Sequence, residues 1–172
     1  MSKNEGKKFE EDWKKSFEKI NAYFFRIKDS AASFNQGNSS FTRSNPYDCF
    51  ALFDGCFFAM ELKSTQGTSF SFETESAGRG NKLIKLNQIN GLYDVIKYQN
   101  AYAGFIFNFR NKNNNTYYLN IKNFINFYNN TNKFSINEND IIEYKGVLIE
   151  SKLLKVRYRY NIEKLLRTIY ME

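Results

Sequence analysis

Residues 47–63 read YDCFALFDGCFFAMELK, two apolar runs separated only by Asp54-Gly55. Asp-Gly between apolar runs is among the strongest short-range signals for a two-residue type I′ hairpin, because both turn residues must adopt positive φ. Such a loop dictates the register: Phe53 pairs with Cys56, Leu52 with Phe57, Phe50 with Ala59, and Asp48 with Glu61. Direct pairing sets the two carboxylates on one sheet face with Cβ atoms about 5 Å apart. Lys63, two residues beyond Glu61, falls on the same face. The other face carries Met60 and Leu62, while Phe57 and Ala59 keep even the charged face apolar further in. The second strand is therefore buried on both sides and opens to charge only at its end. Cys49 and Cys56 share a face in this register but stand too far apart along the ribbon for a disulfide.

Working outward, residues 5–20 place Phe9, Trp13, Phe17 and Ile20 at helical spacing, and AYFFRIK (22–28) reads as a strand. The stretch 29–45, DSAASFNQGNSSFTRSN, is a polar projecting loop, and 73–82 is another. In 83–98, Leu83, Leu86, Ile89, Leu92 and Ile96 recur on one helical face. AYAGFIFNF (101–109) is a buried strand, followed by a turn at 110–115, a strand at 116–120 and a short helix, NFINFYNN. The alternating KVRYRY precedes a final helix from about 161. Strands interspersed with helices around a hairpin predict an α/β fold, a single-domain mixed sheet flanked by helices over 1–172.

With 172 residues, 42% hydrophobic and 18% aromatic, the chain is expected to bury a core without disulfide or metal staples. No apolar run approaches the roughly 18 residues of a membrane span, and the charged start MSKNEGKKFEEDWKK has no signal-peptide stretch. Two cysteines suit a reducing compartment, so a cytoplasmic protein with no membrane partner is expected. Histidine is absent, which excludes Ser-His and Cys-His triads and imidazole metal sites. Chemistry must run on carboxylates, lysines and amides. The net charge of +7 points to a polyanion or to a solvated basic surface, and the excess of Lys, Asn, Ile, Phe and Tyr fits AT-rich coding. The Asn cluster in 108–132 reads most simply as the same bias.

Two opposed carboxylates repel, and the arrangement becomes favourable when a divalent cation sits between them. The other reading has Lys63 neutralise a pair at a solvated strand end. Arg157 and Arg159, alternating with Tyr158 and Tyr160, give one cationic and one aromatic strand face; this face tracks a DNA backbone or protects an edge strand.

At this point the residues resemble a known family. Pro46-Tyr47-Asp48, twelve intervening residues and Glu61-Leu62-Lys63 resemble the PD-(D/E)xK nuclease motif, and more narrowly the RecU-type Holliday junction resolvases. Asn4-Glu5-Gly6-Lys7-Lys8-Phe9-Glu10 is similar to that family's N-x-G-x-x-x-E helix start. Glu61-Leu62-Lys63-Ser64-Thr65 with Thr68-Ser69-Phe70 is similar to its E-x-K-x-T…T-S-F stretch, and Asn87-Gln88 to its His-Gln pair. Arg157-Tyr158-Arg159-Tyr160 leading into a short helix also fits. Asn87 replaces the histidine, and 29–45 occupies the place of the family's stalk.

The resemblance implies a restriction-endonuclease-like core with a projecting stalk and Mg²⁺-dependent cleavage of branched DNA, the four-way junction, by a homodimer. Mn²⁺ is the alternative metal. Asp48, Glu61, the Leu62 carbonyl and Glu10 would hold the metal; Lys63 and Gln88 would join Asp48 and Glu61 in catalysis. Phe34, Phe41 and Arg43, with Arg157 and Arg159, would contact DNA, and Phe124, Phe127 and Tyr128 would supply an association surface. A nuclease of another purpose, restriction-like or DNA-degrading, or a non-catalytic nucleic-acid-binding protein are the competing functions.

Overall fold

A computed structural model describes residues 3–28, 45–74 and 81–171. Helix α1 (Lys3–Ser16) runs into a 3₁₀ turn at Phe17–Lys19 and then strand β1 (Tyr23–Arg26). The hairpin follows as β2 (Cys49–Phe53) and β3 (Cys56–Thr65), then β4 (Ser69–Ser71), α2 (Leu86–Val95), β5 (Ala101–Phe109) and β6 (Asn115–Asn120). The remainder is α3 (Ile121–Asn130), β7 (Ser135–Asn137), α4 (Glu138–Glu143), β8 (Val147–Leu148), β9 (Ser151–Leu154), β10 (Arg157–Tyr160) and α5 (Ile162–Met171). Six strands form one mixed sheet in the order β1-β2-β3-β5-β6-β8, with β3 and β5 parallel and the other pairs antiparallel. Among the described residues, no helix is long and apolar enough to cross a membrane.

The sheet separates two cores. On one face, Phe9, Trp13 and Phe17 pack with Cys49, Phe58, Met60 and with Leu165, Leu166 and Ile169 of α5. On the other, Ala59, Phe105 and Phe107 pack with Ile89 and Leu92 of α2 and with Phe124 and Phe127 of α3. Burial on both faces accounts for the nearly continuous apolar run of β3, as in strands covered from both sides.

The hairpin has the expected register, from Phe53 opposite Cys56 to Cys49 opposite Met60. Asp54 (φ 47) and Gly55 (φ 76) both take the positive φ a type I′ turn demands. Both cysteines are free and buried.

Three expectations are corrected. Helix α2 starts at Leu86, not 83, because Ile84 bridges to Phe72 and is buried while Leu83 is exposed. Phe124 and Phe127 are core residues, 0% and 2% exposed, so they supply no association surface. The asparagines are not merely compositional. Asn113 and Asn114 take left-handed φ in the β5–β6 turn, where Asn is tolerated. Buried Asn108 accepts from Ser64 Oγ at 2.8 Å and donates to Thr116 Oγ1 at 2.9 Å, and Asn120 caps α3.

Gly55 is the position on which the hairpin register turns. Space around its would-be Cβ is open, so an alanine there meets only the backbone penalty of positive φ. Gly55→Ala is expected to cost about 1 kcal/mol in urea unfolding with an unchanged m-value. No loss of stability would contradict the type I′ assignment.

Candidate active site

The β2–β3 register carries one step past Cys49–Met60 to set Asp48 against Glu61. Asp48 is anchored from two sides: its carbonyl accepts from Ile27 N at 2.9 Å, tying it to the end of β1, and Oδ2 accepts from Leu62 N at 2.8 Å. Glu61 is 2% exposed. Its Oε1 accepts from Lys63 Nζ at 2.8 Å and from Gln88 Nε2. Its Oε2 is buried without a hydrogen-bond donor. A half-satisfied carboxylate beside a second one is costly to ionise. Burial, reinforced by Asp48 and opposed by Lys63, pushes Glu61 up from 4.5 to about 7. The same two carboxylates add to burial in raising the Cys49 thiol on the adjoining strand position.

Gln88 reaches the site from the first turn of α2. Its Oε1 accepts from Lys63 Nζ and from the Lys85 backbone N–H, both at 3.0 Å, while its Nε2 goes to Glu61. One amide thus ties the helix start to both charged residues of β3. Gly91, one turn later, lets α2 approach the Pro46 loop: a Cβ there would lie 2.4 Å from Pro46 Cβ and 2.8 Å from Pro46 O. Sequence reasoning passed over this glycine, although an isolated Gly inside a helical pattern was the available signal. Asn87 donates to the Asn45 carbonyl at 3.4 Å and so braces the same loop.

The other expected site residues come from other elements. Glu10 on α1 pairs with Arg26, whose strand partner is Cys49, the neighbour of Asp48. Among the described residues, no three His, Cys, Asp or Glu side chains gather as a ligand cluster. Arg157 binds Asp12 Oδ1 and Glu11 Oε2 of α1, each at 2.6 Å, and Arg159 donates to the Tyr158 carbonyl at 2.7 Å with Asp12 3.6 Å away. Buried Asp12 also accepts from Tyr158 N at 3.2 Å, and Ser16 Oγ accepts from Tyr160 N at 2.9 Å. These arginines dock the β9–β10 hairpin on α1. Phe34, Phe41 and Arg43 fall outside the described residues.

Fold and site together define an α/β protein with a mixed sheet, carrying an opposed carboxylate pair, Glu61 buried and Asp48 half-buried, beside a lysine and a helix-borne glutamine. No family model matches the chain. It is 35% identical over 173 residues to the SPbeta prophage-derived uncharacterized protein YotM of Bacillus subtilis (strain 168), an alignment covering 94% of this chain and 85% of that protein. The chain belongs to the same family as this prophage protein.

Glu61 makes the fold sensitive to pH. Between about 4.5 and 7 the unfolded chain releases this proton while the folded chain keeps it. Stability of the metal-free protein therefore falls as pH rises through that window, by an amount on the order of 3 kcal/mol. Melts from pH 5 to 8 are expected to show a falling Tm, with most of the fall removed in Glu61→Gln. Parallel pH profiles for the two proteins would refute the assignment.

Proposed function

We propose that the chain is a Mg²⁺-dependent DNA endonuclease of the PD-(D/E)xK type, resembling the RecU resolvases, that cuts four-way junctions by paired nicks as a symmetric homodimer. The observation that carries this reading is the opposition of half-buried Asp48 to buried Glu61, whose Oε2 has no hydrogen-bond donor. A pair that repels and leaves an acceptor unsatisfied is poorly explained as a structural device, since apolar residues in its place would be more stable. Hard carboxylate oxygens are the donor set that Mg²⁺ takes, with water completing its shell, and Mn²⁺ accepts the same donors.

Asp48 and Glu61 would hold the ion, with the Leu62 carbonyl as a further ligand. When bound, the metal supplies a water of lowered pKa and stabilises charge on the phosphoryl oxygens. Lys63 offsets the negative charge that a phosphodiester brings and orients the attacking water. Gln88 holds Lys63 and Glu61 in their relative positions through its two amide ends. A two-fold dimer matches the two equivalent strands of a junction with two sites.

Branch selectivity is assigned to the segment between Lys28 and Asn45. Its ends are tied together, Asn45 Nδ2 donating to the Lys28 carbonyl at 3.1 Å, three residues before Asp48. Phe34, Phe41 and Arg43 within it offer stacking and charge to DNA opened at a branch point. Arg157 and Arg159 are given no part in DNA contact, because α1 already holds them.

Two experiments test this reading. With Mg²⁺ as the only metal, Asp48→Asn and Glu61→Gln are each expected to lower junction nicking by at least about a hundredfold while junction binding is kept; nicking by either variant at the wild-type rate would sink the reading. Replacing residues 31–42 by a short Gly-Ser linker is expected to abolish preference for junction over linear duplex while Mg²⁺-dependent nicking survives. Unchanged preference would move branch recognition off this segment.

A further inference from the structure

Along β3 from the carboxylates, the α2 face of the sheet opens into a cavity of about 550 Å³ walled by Pro46, Tyr47, Phe57, Val95, Tyr98 and Gln99. Its floor, Tyr47, Phe57 and Val95, is half-buried, and its rim, Tyr98 and Gln99, is exposed. The volume is that of a small-ligand site, and the make-up is mostly apolar with a few polar groups at the mouth. The cavity does not end at the pocket wall. Phe57 stacks on Phe50 at 5.2 Å, and Phe50 lies 5.5 Å from Phe25, which is 45% exposed at the sheet edge. A row of rings thus runs from the cavity across β3, β2 and β1 on the face that carries Glu61.

The cavity and the carboxylate pair are built from the same pieces. Tyr47 immediately precedes Asp48, and Gly91, which seats Pro46, lies one turn from Gln88 on α2. Phe57 and Glu61 share one face of β3, four residues or about 13 Å apart. That separation is within the reach of a DNA strand held at the carboxylates. The walls narrow the choice of occupant. The aromatic side chains of Tyr47, Phe57 and Tyr98 in the lining suit a flat π-system, and Gln99 offers a donor and an acceptor to a heteroaromatic edge. Asp94, the charged residue of the lining, is paired with Lys97 at 2.6 Å. Bases in intact duplex hide their faces in the stack, so the fitting occupant is an unpaired one.

We infer that this cavity is a stacking site for an unpaired nucleobase of the DNA strand whose phosphodiester lies at Asp48 and Glu61, with further bases of that strand stacking on Phe57, Phe50 and Phe25. The inference rests on the nuclease reading and adds to it a route for single-stranded DNA that does not use residues 29–45.

The test measures fluorescence anisotropy of a labelled 16-nucleotide single strand and a blunt duplex with the full chain in EDTA. Tyr98 is 74% exposed, so its substitution leaves the core alone. Tyr98→Ala is expected to weaken single-strand binding about tenfold or more, Tyr98→Phe to keep it, and neither to change duplex binding. A 2-aminopurine walked along the strand should be quenched at one position, and Tyr98→Ala should relieve that quenching. Absence of single-strand binding by the wild type, or equal binding by wild type and Tyr98→Ala, overturns the inference. So does a change of sedimentation in Tyr98→Ala, which would make this face a contact between protein chains. If the wild type cleaves no DNA with Mg²⁺ but the Tyr98 effect and the quenching hold, the stacking site stands and the nuclease reading falls. If it cleaves and Tyr98→Ala binds as wild type, the stacking site falls alone.

Discussion

The opposition of Asp48 and Glu61 across the β2–β3 ladder is the constraint around which the molecule is arranged. Like charges facing each other in a sheet destabilise it, and burial of Glu61 deepens the penalty. The surrounding contacts answer that penalty piece by piece: Leu62 N–H on Asp48, Lys63 and the Gln88 amide on one Glu61 oxygen. They leave the other Glu61 oxygen bare. Protonation near neutral pH relieves the strain in one way, and a bound cation would relieve it in another. Stability and the proposed chemistry thus draw on the same pair of oxygens, which is the usual tension of a site that trades stability for function.

Helix α2 is what turns a strained strand end into a shaped site. It caps its own start with the glutamine that reaches Glu61, and it uses Gly91 to close on the loop that delivers Asp48. Its last turn and the residues after it wall the aromatic cavity. A bulkier residue at 91 would push the helix from Pro46 and change the spacing of Gln88, Asp48 and the cavity together. Three features that look separate in the chain are therefore one packing problem.

The basic residues divide by role. Arg26 is drawn to Glu10, and Arg157 to Glu11 and Asp12, so much of the arginine charge nearest α1 is used to hold that helix against the sheet edge and the β9–β10 hairpin. Asp12 is the pivot of this arrangement, a buried carboxylate satisfied by a guanidinium and a backbone N–H. Such a network anchors elements that are 145 residues apart in sequence. It also explains why a net charge of +7 is a poor guide to where a polyanion lies.

The local features of the hairpin were legible in the chain itself. Asp54-Gly55 admits essentially one tight turn, and the period of two then dictates that Asp48 meets Glu61, that Lys63 joins them and that the cysteines stay apart. The helical face of Phe9, Trp13 and Phe17 was legible for the same reason, since neighbours in a periodic element are set by backbone geometry alone. Contacts between elements were not. Whether Arg157 meets DNA or Asp12, whether Phe124 faces a partner or Phe105, and whether Leu83 or Ile84 turns inward depend on how helices and strands distant in sequence come to pack. The cavity of Tyr47, Phe57 and Tyr98 belongs to this second kind, because no spacing joins a loop, a strand start and a helix end. Periodicity decides what shares a face, and only the tertiary fold decides what that face meets.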